Sequence, residues 1–76
     1  MSLVLYHRIG DADSAAVRRR VVELGLKASV DFQNVDTEGA VAFAAQGGLA
    51  VPALWDGERL HVGRAAALAL LETLPR

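Results

Sequence analysis

No cysteine occurs among the 76 residues. That excludes a disulfide, a thiol nucleophile and any cysteine-ligated metal, while leaving the compartment open, since reducing and oxidising locations both permit it. Aromatic residues are scarce: one tryptophan, one tyrosine and two phenylalanines. None is interleaved with the only basic cluster, Arg18-Arg19-Arg20, whose three consecutive positions fan around a helix as a solvated face. No stacking platform for nucleic acid is therefore expected. An excess of one charge is also missing, because the net charge of −1 exerts no global pull on nucleic acid or an anionic membrane. No apolar run reaches the roughly 18 residues a membrane span needs, so no membrane partner is expected. Met1-Ser2-Leu3-Val4-Leu5 leads into a strand pattern without the basic start of a signal peptide, which favours a cytoplasmic location. Linkers, repeats and low-complexity tracts are absent too, so residues 1–76 read as a single small domain with a modest core.

What is present is periodic. Leu3-Val4-Leu5-Tyr6 is a short apolar run bounded by polar residues and Gly10, the pattern of a buried strand. Val17, Val21 and Leu24 then recur at helical spacing, Asp11 or Asp13 stands where a cap belongs, and Gly25 suits the helix end. Val30 and Phe32 alternate with polar neighbours as a half-buried strand. Asp36-Thr37 offers a cap for a short alanine-rich helix in TEGAVAFAAQ, which stops at Gly47-Gly48. VPALW and RLHV flank Asp56-Gly57, a strong hairpin signal. From Arg64 to Leu74 the pattern is helical again, with Ala67, Leu68, Leu71 and Leu74 inward and Pro75 as the stop. The expected architecture is α/β in the order β-α-β-α-β-β-α. The first two strands should be parallel with a right-handed crossover, and the last two an antiparallel hairpin. A mixed four-stranded sheet with helices on both faces would bury most of the apolar residues.

Three segments together carry a resemblance over nearly the whole chain: LVLYHRIG running into AVRRRVVELGL, then VPALWDGE, then HVGRAAALALLETL. They resemble the thioredoxin-like fold, and more narrowly glutaredoxins and the N-terminal domain of glutathione transferases. Similar proteins carry Cys-x-x-Cys or Cys-x-x-Ser after the turn glycine, where this chain has Asp11 and Ser14. The resemblance implies a cis bond at Val51-Pro52 facing the site, with the Val51 backbone pairing with the backbone of a ligand. It implies a glutathione-binding role for Arg8 and a ligand contact at the start of the last helix. There the chain has Gly63-Arg64-Ala65-Ala66, without the polar pair that family members use for the γ-glutamyl end.

The chemistry at the turn follows from the residue types. A helix N-terminus lowers a thiol's pKa and makes it a nucleophile. A carboxylate in the same field is stabilised and caps the helix, and without sulfur there is no disulfide exchange path. Thiol–disulfide oxidoreductase activity is therefore excluded. Asp11 and Asp13 read as capping acids; as a glycosidase-like pair they would diverge, and a metal role with His7 has only loose spacing, so no metal is expected. The catalytic candidates are Asp11, which stands at the position of the family's nucleophile, and Ser14 and Tyr6, by analogy with serine- and tyrosine-using transferases, but a serine hydroxyl needs an activating partner. Trp55 and His61 read as sheet packing and a structural histidine, with partner contact the alternative for Trp55.

The leading expectation is a redox-inactive glutaredoxin-like domain, a binding module for an extended peptide or thiol ligand beside Pro52. Arg8, Val51, Pro52 and Gly63 are its ligand-binding residues, with no cofactor unless glutathione itself binds. Two alternatives stay open: a glutathione-transferase-type enzyme using Ser14 or Tyr6, and a purely structural domain that forms a homodimer. Transferases normally add a helical second domain, and the chain ending at Arg76 counts against a complete one.

Overall fold

Residue 3 opens strand β1 (Leu3–His7), and the computed structural model describes residues 3–75. Met1 and Ser2, which the sequence places ahead of the first strand, and Arg76 lie outside the described residues. Helix α1 (Ala12–Glu23) follows, then a 3-10 turn (Lys27–Ser29), β2 (Val30–Asn34), α2 (Ala40–Ala45), β3 (Ala53–Trp55), β4 (Leu60–Val62) and α3 (Arg64–Thr73). The strands form one mixed sheet in the order β2-β1-β3-β4. β1 and β2 run parallel, whereas β3 is antiparallel to both β1 and β4.

Strand alternation sorts the core into two layers. Leu3, Leu5, Val30 and Leu54 leave one face of the sheet and pack with Val17 and Val21 of α1 and Ala67 and Leu71 of α3. Tyr6 and Ala53 leave the other face and pack with Val35 and with Phe43 of α2, flanked by Val4, Trp55 and Leu60. The helices thus cover both faces, α1 and α3 together on one and the short α2 on the other. None of them is long and apolar enough to cross a membrane.

The ends of α1 are set by local chemistry. Asp11 is its N-cap, in extended backbone, and its carboxylate accepts the Ser14 N–H at 2.8 Å. At the other end Gly25 adopts φ +70°. The Leu26 N–H then reaches back to the Val21 carbonyl and the Gly25 N–H to the Val22 carbonyl. This is a Schellman closure, and Leu26 and Val21 join the same apolar layer. In α3, Ala67 and Leu71 are fully buried while Leu68 and Leu74 pack at the margin. Leu74 itself has left the helix for an extended conformation, as the residue before a proline must.

The cap expected from Asp36-Thr37 is a correction. α2 begins only at Ala40, its N-cap is Gly39, and no side chain caps it. Asn34 organises the intervening turn instead: its Oδ1 accepts the Asp36 N–H, and its carbonyl accepts the N–H groups of Thr37 and Gly39. A Cβ at Gly39 would stand 3.0 Å from that carbonyl oxygen, so the tight turn selects glycine. The Asp36 carboxylate is occupied elsewhere, by Arg8.

Candidate functional site

Parallel β1 and β2 and antiparallel β3 bring three chain segments to one end of the sheet: the residues leaving β1, those leaving β2, and those entering β3. The exit of β4 joins them through its pairing with β3. Arg8, the start of α1, Asp36, Val51-Pro52 and Gly63 therefore share this end, although they are spread over more than fifty positions of sequence.

At the start of α1, Asp11 and Ser14 form one capping unit. The Ser14 hydroxyl and amide both hydrogen-bond the Asp11 carboxylate and hold its pKa below the ordinary aspartate value. The Ser14 Oγ also accepts the Arg8 N–H at 3.2 Å. Ser14 is fully buried, so this hydroxyl knits the end of β1 to the helix. Its place was legible: Ser14, Val17 and Val21 lie at i, i+3 and i+7, the same inward stripe. Asp13 is separate and exposed, 3.5 Å from Arg64 Nη1 on α3. Asp11 and Asp13 therefore act apart, one as a cap and one as a surface partner.

Tyr6 is also removed from the surface. Only 2% of it is exposed, and its ring lies 5.1 Å from that of Phe43. Burial pushes its hydroxyl pKa up, partly opposed by the Gln46 side chain. It is a neutral core phenol beneath α2.

His7 ends β1 on the opposite face, against Phe32. The Arg18 guanidinium reaches its Nδ1 at 2.9 Å and the Arg8 carbonyl at 3.5 Å. Burial, then the Arg18 charge, lower the His7 pKa, with Glu38 pulling the other way. A neutral ring accepting at Nδ1 is the state that fits. Sequence reasoning missed this contact, since eleven positions separate the two residues and no motif marks them. Arg8 is exposed, its Nε paired with Asp36 at 3.1 Å.

The Val51–Pro52 peptide bond is cis. Pro52 is fully buried, and its carbonyl accepts the Gly63 N–H at 2.8 Å. Gly63 holds φ +94°, a conformation that favours glycine. The backbone N–H and C=O of Val51 make no hydrogen bond among the described residues. Two steps beyond the Tyr6–Ala53 pair, the register would set Arg8 opposite Val51. Arg8, however, gives its N–H to Ser14 and its carbonyl to the Asp11 N–H. The ladder position beside Val51 is open.

His61 and Trp55 lie apart on the β3–β4 hairpin. The Asp56 carboxylate accepts the N–H groups of Glu58 and Arg59 and contacts His61 Nε2 at 2.8 Å. His61 first, then those amides, depress the Asp56 pKa strongly. This cluster closes the turn. Among the described residues no group of three histidines or carboxylates is arranged to hold a metal ion. A mainly apolar cavity of about 260 Å³, lined by Leu3, Leu26, Ser29, Leu74 and Pro75, lies at the far end of β1 from Val51.

Comparison of the chain with protein-family models, with curated proteins and with solved structures gives no match.

Proposed function

We propose that the chain is a thioredoxin-like domain of glutaredoxin type in which binding has replaced redox chemistry, and that it holds the backbone of an extended peptide or thiol ligand beside Pro52. The observation that carries this is the open N–H and C=O of Val51. An extended chain laid alongside would satisfy both through main-chain hydrogen bonds. The strand order, the placement of helices on both faces and the position of Arg8 and Gly63 at the same sheet end support the same reading. Asp11 supports the loss of redox chemistry, since its carboxylate fills the helix N-terminus that would otherwise activate a thiol. The transferase alternative gains nothing from its two candidates, because Ser14 is enclosed in the cap and Tyr6 lies in the core.

An NMR titration of the labelled domain tests the reading. Reduced glutathione and its analogue with aminobutyrate in place of cysteine are compared. Backbone pairing predicts saturable shifts at Val51, Gly63 and Arg8 with both ligands and with similar affinity. Shifts that require the sulfur, or that cluster away from Val51, would count against it.

A further inference from the structure

From the side chains around the open backbone of Val51 we infer that the ligand is an extended peptide segment with uncharged, apolar side chains, in preference to an anionic one. This rests on the reading of Val51 given above and adds the chemistry of the partner.

Two of the most exposed large apolar side chains stand at this end of the sheet. Ile9, the residue after Arg8, is 68% exposed, and Leu49, two residues before Val51, is 97% exposed. Single exposed apolar residues are ordinary. Ile9 follows Arg8, which the register sets opposite Val51, on the segment leaving β1, and Leu49 precedes Val51 on the segment entering β3. An extended peptide satisfying Val51 would carry its side chains past both. Side chains alternate along an extended chain, so the flanking residues would supply apolar contact while the main chain supplies the hydrogen bonds.

The charges point the same way. Arg8 is paired with Asp36, and Arg64 with Asp13. Arg18 is turned inward onto His7 and the Arg8 carbonyl. The arginines at this end are thus already engaged within the chain, and Asp11 adds a carboxylate at the start of α1. An anionic ligand would have to displace an internal partner before gaining a cation; an uncharged apolar segment displaces nothing.

The test uses the full chain, isotope-labelled, with four capped pentapeptides of common Ser termini. Their central triplets are Val-Leu-Val, Glu-Leu-Glu, Lys-Leu-Lys and Gly-Gly-Gly. The expected result is a saturable shift of the Val51 amide, with Val-Leu-Val binding about tenfold or more tighter than the others. Leu49→Ser and Ile9→Ser, both at exposed positions, should each weaken Val-Leu-Val several-fold while leaving the spectrum folded. If all four peptides shift Val51 with equal affinity, or the acidic or basic one binds best, the reading of Val51 stands and the apolar preference is overturned. Unchanged affinity in both serine variants overturns it as well. If no peptide shifts Val51, both the preference and the binding role at Val51 fail.

Discussion

Arg18 Nη1 lies 2.9 Å from Nδ1 of His7, a ring only 7% exposed at the end of β1. The same guanidinium nitrogen is 3.5 Å from the Arg8 carbonyl, so one side chain of α1 ties down the last residue of the strand and the first residue of the turn. The bond requires an unprotonated Nδ1. Protonating the ring would remove the acceptor and set two cations against each other.

Stability should therefore fall with acid in a defined window. The folded-state pKa of His7 lies below its ordinary value of 6.5, so the unfolded chain takes up the proton first. Above about pH 6.5 His7 adds no pH dependence; below it, stability declines until the folded-state pKa is passed. Urea unfolding between pH 7.5 and 5 should show that decline in the natural chain and a flatter profile in His7→Asn. Parallel profiles would mean His7 titrates alike in both states.

The Asp56 turn acts in a lower window. Its carboxylate is held well below the aspartate range, so its contribution is present above the unfolded-state pKa and is lost as the pH falls beneath it. Asp56→Ala should lower the melting temperature at pH 7 and remove part of the further acid sensitivity below about pH 4. A variant as stable as the parent at pH 7 would show that the hairpin closes without the carboxylate.

Ser14→Val probes the junction of strand and cap. It keeps side-chain bulk but leaves the part-buried Arg8 N–H without its Ser14 acceptor and strips a hydrogen bond from Asp11. The expected cost is about 1–3 kcal/mol in denaturant unfolding. No loss would mean that the Arg8 N–H finds water or another acceptor.

Gly48→Ala probes the second layer. A Cβ there would stand 2.3–2.5 Å from the Phe43 ring, which packs on Tyr6. Displacing that ring should cost about 1–3 kcal/mol and change the near-ultraviolet dichroism of Tyr6. An unaltered spectrum would show that α2 shifts as a unit.

Much of the fold was legible because it rests on local periodicity. The stripe of Val17 and Val21, the alternation in LVLYH and the Asp56-Gly57 turn each state their element within a few residues. The start of α2 was not legible, since Asp36 has a local use as a cap and a remote one on Arg8, 28 positions away, and the remote one wins. The site divides similarly. Arg8, Val51, Pro52 and Gly63 were picked out by resemblance, and the strand pairing brings them to one sheet end. The clamp of Arg18 on His7 and the unpartnered backbone of Val51 are tertiary facts: hydrogen-bond supply and demand across elements leaves no trace in residue spacing.

The most direct test of the account is amide hydrogen exchange at Val51 in the free domain and in the presence of the Val-Leu-Val peptide, with Gly63 as the internal comparison. The Val51 amide should exchange far faster than that of Gly63, which is bonded to the Pro52 carbonyl, and should become protected when the peptide binds. A Val51 amide already as protected as Gly63 in the free domain would contradict it, because the ladder position beside Val51 would then be filled from within the chain.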